Sequence, residues 1–112
     1  MNKLEVLKNS AIIENKIRYM LIEQNYVEVR TPIMYSYPDI APIEQFYSYF
    51  PTQKEKLYMR IAPTECLKRL IFEGMDSIFE FSVNFRPDEI DASHLPEFVS
   101  LEIMKKMRVF MT

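Results

Sequence analysis

Ser77-Ile78-Phe79-Glu80-Phe81-Ser82-Val83-Asn84-Phe85-Arg86 is followed, after a polar stretch, by His94-Leu95-Pro96-Glu97-Phe98-Val99-Ser100-Leu101-Glu102-Ile103-Met104. The two runs read as β-strands, which predicts a hairpin with a long loop. Side chains alternate along a strand, so residues two apart share a face. Phe79, Phe81, Val83 and Phe85 then lie on one side of the first strand, and Ile78, Glu80, Ser82, Asn84 and Arg86 on the other. In the second strand Glu97, Val99, Leu101 and Ile103 share one side, and Phe98, Ser100, Glu102 and Met104 the other. A cation, a carboxylate and an exposed aromatic are expected together on one concave polar face. Such a face has the geometry of a binding site.

Upstream, Leu4, Leu7, Ala11, Ile13, Ile17, Met20 and Leu21 recur at helical spacing, with Pro32 the only Pro or Gly between Met1 and Tyr37. This predicts one amphipathic helix from about Lys3 to Gln24. Tyr26 to Arg30 alternates and is rich in β-formers, a strand stopped near Thr31-Pro32. Tyr35 to Gln45, with Pro38 and Pro42, reads as irregular. Gln45–Phe50 and Leu57–Ile61 flank a polar stretch and suggest a second hairpin. Pro63 suits the first turn of a helix and Gly74 its exit, with Leu67, Leu70 and Ile71 on the buried stripe. The order favours an α+β fold, an antiparallel sheet flanked by helices, over residues 1–112 as a single domain.

Length and composition narrow the function classes. The chain has 112 residues, enough for one modest core. Hydrophobic content of 48% with 27% charged residues argues against disorder. A net charge of −2 gives no reason to expect a nucleic-acid surface. Cys66 is the only cysteine, which excludes an internal disulfide and a Cys-based zinc cluster; it reads as a half-buried thiol on a helix. No apolar run approaches the roughly 20 residues of a membrane span, and the N-terminus carries no apolar signal core. A cytoplasmic location without membrane association is expected.

Three ordered blocks carry a family resemblance. Phe85-Arg86 with His94-x-Pro96-Glu97-Phe98 and Glu102 resembles motif 2 of class II aminoacyl-tRNA synthetases, in the branch that activates lysine, aspartate and asparagine. Ile17-Arg18 and Tyr26 to Ile33 resemble motif 1, and Leu57 to Pro63 with Leu67-Lys68-Arg69-Leu70 resembles the strand and helix between them, most like the lysine enzymes. The likeness runs from about Ala11 to Met104. It implies a partial class II core, ATP as cosubstrate with Mg2+ possible, a small amino acid as substrate, and no dedicated metal site.

By that resemblance Arg86 bridges the α-phosphate of ATP and the amino-acid carboxylate, where negative charge grows during adenylate formation. Phe98 stacks on adenine, and Asp88 and His94 belong to the ATP-contacting loop. Glu102 and Thr64 join Arg86 around the amino acid. Ile17, Met20, Val27, Val29 and Pro32 fall in the dimer-forming segment, which implies a homodimer or a heterodimer with a synthetase-like chain. Each residue also has a plainer reading. Arg86 could pair with Glu80 or Glu102 on a wet face, and Phe98 could lie under the Tyr35–Gln45 segment. Glu102 could be a solvated strand residue, and His94 a solvated loop residue. Asp88, Glu89 and Asp91 suggest a magnesium site less than a solvated run, and Lys68-Arg69 reads as helix solvation rather than a basic patch. Pro32 ends a strand whether or not the chain pairs.

Departures from the family are equally specific. Gly74 is the sole glycine, so the glycine-rich motif 3 and its arginine are not in these residues, nor is an anticodon-binding domain. Binding of tRNA by this chain alone is therefore not expected. Thr64 stands where lysine enzymes carry a glutamate for the α-ammonium, and Asp39-Ile40 replaces glycines before Ala41. Leu95 replaces an asparagine, and Met104 an aromatic residue near the substrate side chain. An ammonium left without partners is costly to bury, which predicts weak amino-acid binding. The expected function is ATP-dependent amino-acid activation of the lysine type, weak or absent in the isolated chain. The alternative is a non-catalytic paralogue, a truncated relative that binds nucleotide or amino acid or serves as a dimerisation module.

Overall fold

The computed structural model describes residues 2–39, 44–51, 55–86 and 96–107. Helix α1 spans Lys3–Glu23, and the Asn2 side chain starts it by accepting from the Glu5 amide at 2.9 Å. Asn25, at φ 68°, ends it in the left-handed conformation that asparagine tolerates, and the Tyr26 amide closes back onto the Leu21 carbonyl at 3.0 Å. Strands β1 (Val27–Glu28) and β2 (Met34–Tyr35) follow. Then come β3 (Tyr47–Phe50), β4 (Glu55–Met59), helix α2 (Thr64–Glu73), β5 (Ser77–Phe85) and β6 (Glu97–Lys105). Gly74 ends α2 at φ 128°, a conformation that L side chains rarely adopt. Pro63 sits just before the first turn of α2, one residue earlier than the sequence suggests.

Among the described residues the strands form two three-stranded sheets. One has the order β1-β5-β6, the other β2-β4-β3. The fold is α+β and mostly antiparallel, as the element order implies. β1 pairs parallel with β5, Val27 against Ile78, and is shorter than the alternation from Tyr26 to Arg30 suggests. β2 falls inside the segment expected to be irregular. Its two residues pair with Met59 and Tyr58.

Among the described residues the buried hydrophobic core consists of Leu21, Ile61, Leu67, Ile78 and Phe79. Leu21 is the only buried residue of α1. Leu4, Leu7, Ile13 and Met20, expected on the apolar stripe, are exposed, while Ile17 is half-buried. Arg18 fastens the end of this helix to β1. Its Nε and Nη2 donate to the two oxygens of Glu28 at 2.8 and 3.1 Å, and its guanidinium lies 5.0 Å from the Phe81 ring centroid. The bond to Glu28 raises the Arg18 pKa above its ordinary value against the opposing effect of burial, with Glu14 adding to the rise.

On β5 the polar side is fully covered, with Glu80, Ser82 and Asn84 buried, while on the apolar side Phe79 is buried and Phe81, Val83 and Phe85 are half-buried. Val99 and Ile103 on β6, which share the apolar side, are exposed. α2 packs against β5 and β6. Alternation fixes which residues share a face, but not which face the rest of the chain covers.

Candidate active site

β5 and β6 pair in continuous register, with Glu80 opposite Glu102, Ser82 opposite Ser100 and Asn84 opposite Phe98. Directly opposed residues of an antiparallel pair share a face. Phe98, Ser100, Glu102 and Met104 therefore line one side with Ile78, Glu80, Ser82 and Asn84. Arg86 follows the end of β5, its amide donating to the Pro96 carbonyl at 2.9 Å. Its guanidinium carbon stands 5.0 Å from the Phe98 ring centroid. The cation, the aromatic and the carboxylate do share a face. Phe98 and Glu102 are half-buried and Arg86 is exposed.

The suggested pairing of Arg86 with Glu80 is not formed. Glu80 belongs to a buried cluster that the sequence reading did not find. Arg60 Nη2 donates to Glu80 Oε2 at 3.2 Å, both side chains being 3% exposed. Thr31 donates to the same carboxylate through its amide at 3.1 Å and its hydroxyl at 2.6 Å. Arg60 also reaches the carbonyls of Thr31, Pro32 and Val83 at 3.1, 3.2 and 2.9 Å. The two charges compensate each other and the carboxylate accepts three hydrogen bonds, which is the kind of support a buried ion pair requires. Neither residue stood out in the sequence, because the partners lie 20 and 49 positions apart.

Other expected site residues fall elsewhere. Thr64 is half-buried at the first position of α2, and Met104 is half-buried opposite Ile78. Ile40, Ala41, Asp88, Glu89, Asp91, His94 and Leu95 lie outside the described residues. Of the dimer-segment residues, Met20, Val27 and Pro32 are exposed, while Ile17 and Val29 are half-buried.

A pocket of about 190 Å3 is lined by Tyr35, Tyr37, Gln45, Arg60, Cys66 and Arg69 among others. Several of its polar groups are engaged. Gln45 accepts from the Asp39 amide at 2.6 Å and donates to the Met59 carbonyl at 3.1 Å. Burial, followed by a hydrogen bond with Cys66, pushes the Tyr35 hydroxyl well above its ordinary pKa. The hydrogen bond with Tyr37 raises that of Arg69.

Residues 2–108 match the family described as tRNA synthetases class II (D, K and N). The chain belongs to this family. Among curated relatives, it is 40% identical over 97 residues to the lysine–tRNA ligase of Buchnera aphidicola subsp. Schizaphis graminum, covering 87% of this chain and 19% of that protein. The enzyme of the same name from Nitrosomonas europaea is 43% identical over 86 residues, covering 77% and 17%. The one from Methanoculleus marisnigri is 36% identical over 104 residues, covering 93% and 20%. The chain thus spans about a fifth of the length of the curated relatives it matches. Among the described residues no helix is long and apolar enough to cross a membrane.

Proposed function

We propose that this chain contributes the Arg86–Phe98–Glu102 face to an ATP-dependent site that activates lysine or a lysine-like amino acid. The supporting observation is the shared face itself, with Arg86 beside Phe98. The residues suit the ligand. Phe98 offers a ring for adenine, and the planar fork of Arg86 can offset charge on an α-phosphate attacked by a carboxylate as pyrophosphate leaves. Glu102, half-buried and facing the same way, suits an ammonium-bearing side chain. The likeness to lysine–tRNA ligases favours lysine. A cytoplasmic location belongs to the same reading.

Thr64 supports the second reading, a non-catalytic module that keeps nucleotide affinity. A hydroxyl cannot neutralise the α-ammonium as a carboxylate would. The exposed apolar residues of α1, with Val27 at its end, support association with a second synthetase-like chain, a copy of this one included. Calorimetry with ATP should give weak binding to the 112-residue polypeptide, abolished in Arg86→Ala, with lysine-dependent pyrophosphate exchange near background. Binding that survives Arg86→Ala would overturn the site. Brisk exchange would overturn the second reading.

A further inference from the structure

Between Phe98 and Glu102 lies a polar cluster that none of the roles above uses. Asn84 Nδ2 donates to Ser100 Oγ at 2.7 Å, and Ser82 Oγ donates to Asn84 Oδ1 at 3.0 Å. Ser82 and Ser100 face each other across the hairpin with their hydroxyl oxygens 3.2 Å apart. Ser82 and Asn84 are buried, at 0% and 1% exposure, while Ser100 is only half-buried.

Proton counting singles out one member. A serine hydroxyl carries one proton and two lone pairs. The proton of Ser82 is spent on Asn84 Oδ1, and the amide of Asn84 fills one lone pair of Ser100. Ser100 therefore holds the one hydroxyl proton of the cluster that can be redirected, with Ser82 Oγ as its acceptor when the face is empty. Because Asn84 and Ser82 are buried, the oxygen of Ser100 is held in place while its proton is free to turn outward. Same-face neighbours on a strand are about 6.6 Å apart, so that proton emerges one step from the Phe98 ring toward Glu102.

We propose that Ser100 is a further binding residue of this face, donating a hydrogen bond to an oxygen of the sugar–phosphate portion of a purine nucleotide whose base stacks on Phe98. The inference rests on the nucleotide site proposed above. It adds a residue chosen for its proton rather than its charge, and it gives the buried asparagine a task, which is to fix the direction of the Ser100 lone pairs.

The test compares Ser100→Thr with Ser100→Val, which share a β-branched shape and differ by one hydroxyl. NMR titration with adenine, adenosine and AMP reads affinity through the Phe98 and Arg86 resonances, and the free spectra report that each variant is folded. Ser100→Ala provides a smaller hydroxyl-free variant should the valine disturb the strand. The expected result is equal affinity of all variants for adenine. For AMP, Ser100→Thr should match the unsubstituted chain and the hydroxyl-free variants should bind about 5- to 10-fold more weakly, the worth of one hydrogen bond. Loss already at adenosine assigns the acceptor to the sugar, and loss only at AMP assigns it to the phosphate. Equal binding of AMP by Ser100→Thr and both hydroxyl-free variants overturns the role of Ser100 and leaves the nucleotide site standing. No response of Phe98 and Arg86 to any of the three ligands in the unsubstituted chain overturns the site and this inference together.

Discussion

The sheet of β1, β5 and β6 and the sheet of β2, β4 and β3 each have three strands, yet they are held by different forces. The first contains Phe79 and Ile78, both 0% exposed, and packs against α2. The second carries an aromatic surface. Tyr35, Tyr58, Tyr47 and Tyr49 share one of its faces by register, with Lys56 set 4.2 Å above the Tyr47 ring, and Tyr49 is 62% exposed. The Tyr47 ring lies 6.4 Å from the rings of Tyr49 and Tyr58, so these side chains support one another while Tyr47 and Tyr49 stay exposed. What joins the two sheets is the main chain and side chain of Arg60. Its amide meets the Ile33 carbonyl at 2.9 Å, and its carbonyl accepts from the Phe85 amide at 3.0 Å. Its guanidinium closes on Glu80. The candidate site thus lies on the sheet that holds the buried Ile78 and Phe79, beside a second, more loosely covered sheet.

This contrast can be broken most directly by truncating one ring in each sheet. Phe79→Ala should cost about 3–5 kcal/mol of unfolding free energy in urea, from lost transfer and an unfilled cavity. Tyr49→Ala should stay within about 1 kcal/mol, because little of the ring leaves water on folding. Equal losses in the two variants would mean that the second sheet is covered in solution.

Charge offers a second comparison, of buried and exposed ion pairs. Glu80→Gln keeps the shape but leaves the Arg60 guanidinium uncompensated, and should cost about 3–5 kcal/mol. Glu28→Gln, which breaks the more solvated pair with Arg18, should cost about 0–1 kcal/mol after screening. A Glu80→Gln loss as small as that of Glu28→Gln would show that Arg60 does not join the sheets energetically.

The smallest effect sharpens the picture of the aromatic sheet. Tyr35 has its pKa raised in the folded state by burial, then by Cys66. Its protonated form is the one the fold favours, so its share of stability is complete below the ordinary value near 10 and is lost as pH rises toward the folded value. Ultraviolet titration of phenolate should show one late-ionising tyrosine that vanishes in Tyr35→Phe. A Tyr35→Phe curve unchanged at its alkaline end would place that hydroxyl in water.

Much of the site could be read from short-range pattern. Alternation in Ser77–Phe85 and in the run after Pro96 grouped Arg86, Phe98 and Glu102, since a period of two is a local property of any strand. The same rule placed Ser82, Asn84 and Ser100 together without revealing that they bond. The Leu67 stripe and the Gly74 exit of α2 followed from helical spacing and from the need for positive φ.

Local pattern in the chain was enough for both helices, the longer strands, the residues that share a strand face, and the family to which the ordered motifs belong. Long-range contacts alone cover the polar face of β5 while Val99 and Ile103 of β6 stay exposed, pair β1 in parallel, and bring Arg60 to Glu80 and Thr31. The reason is the range of the interactions. Backbone dihedrals and alternation act over a few residues and leave their mark on the chain itself. Burial and ion pairing depend on which distant segments arrive at the same place, and a pair separated by 20 or 49 residues carries no local period by which to read it.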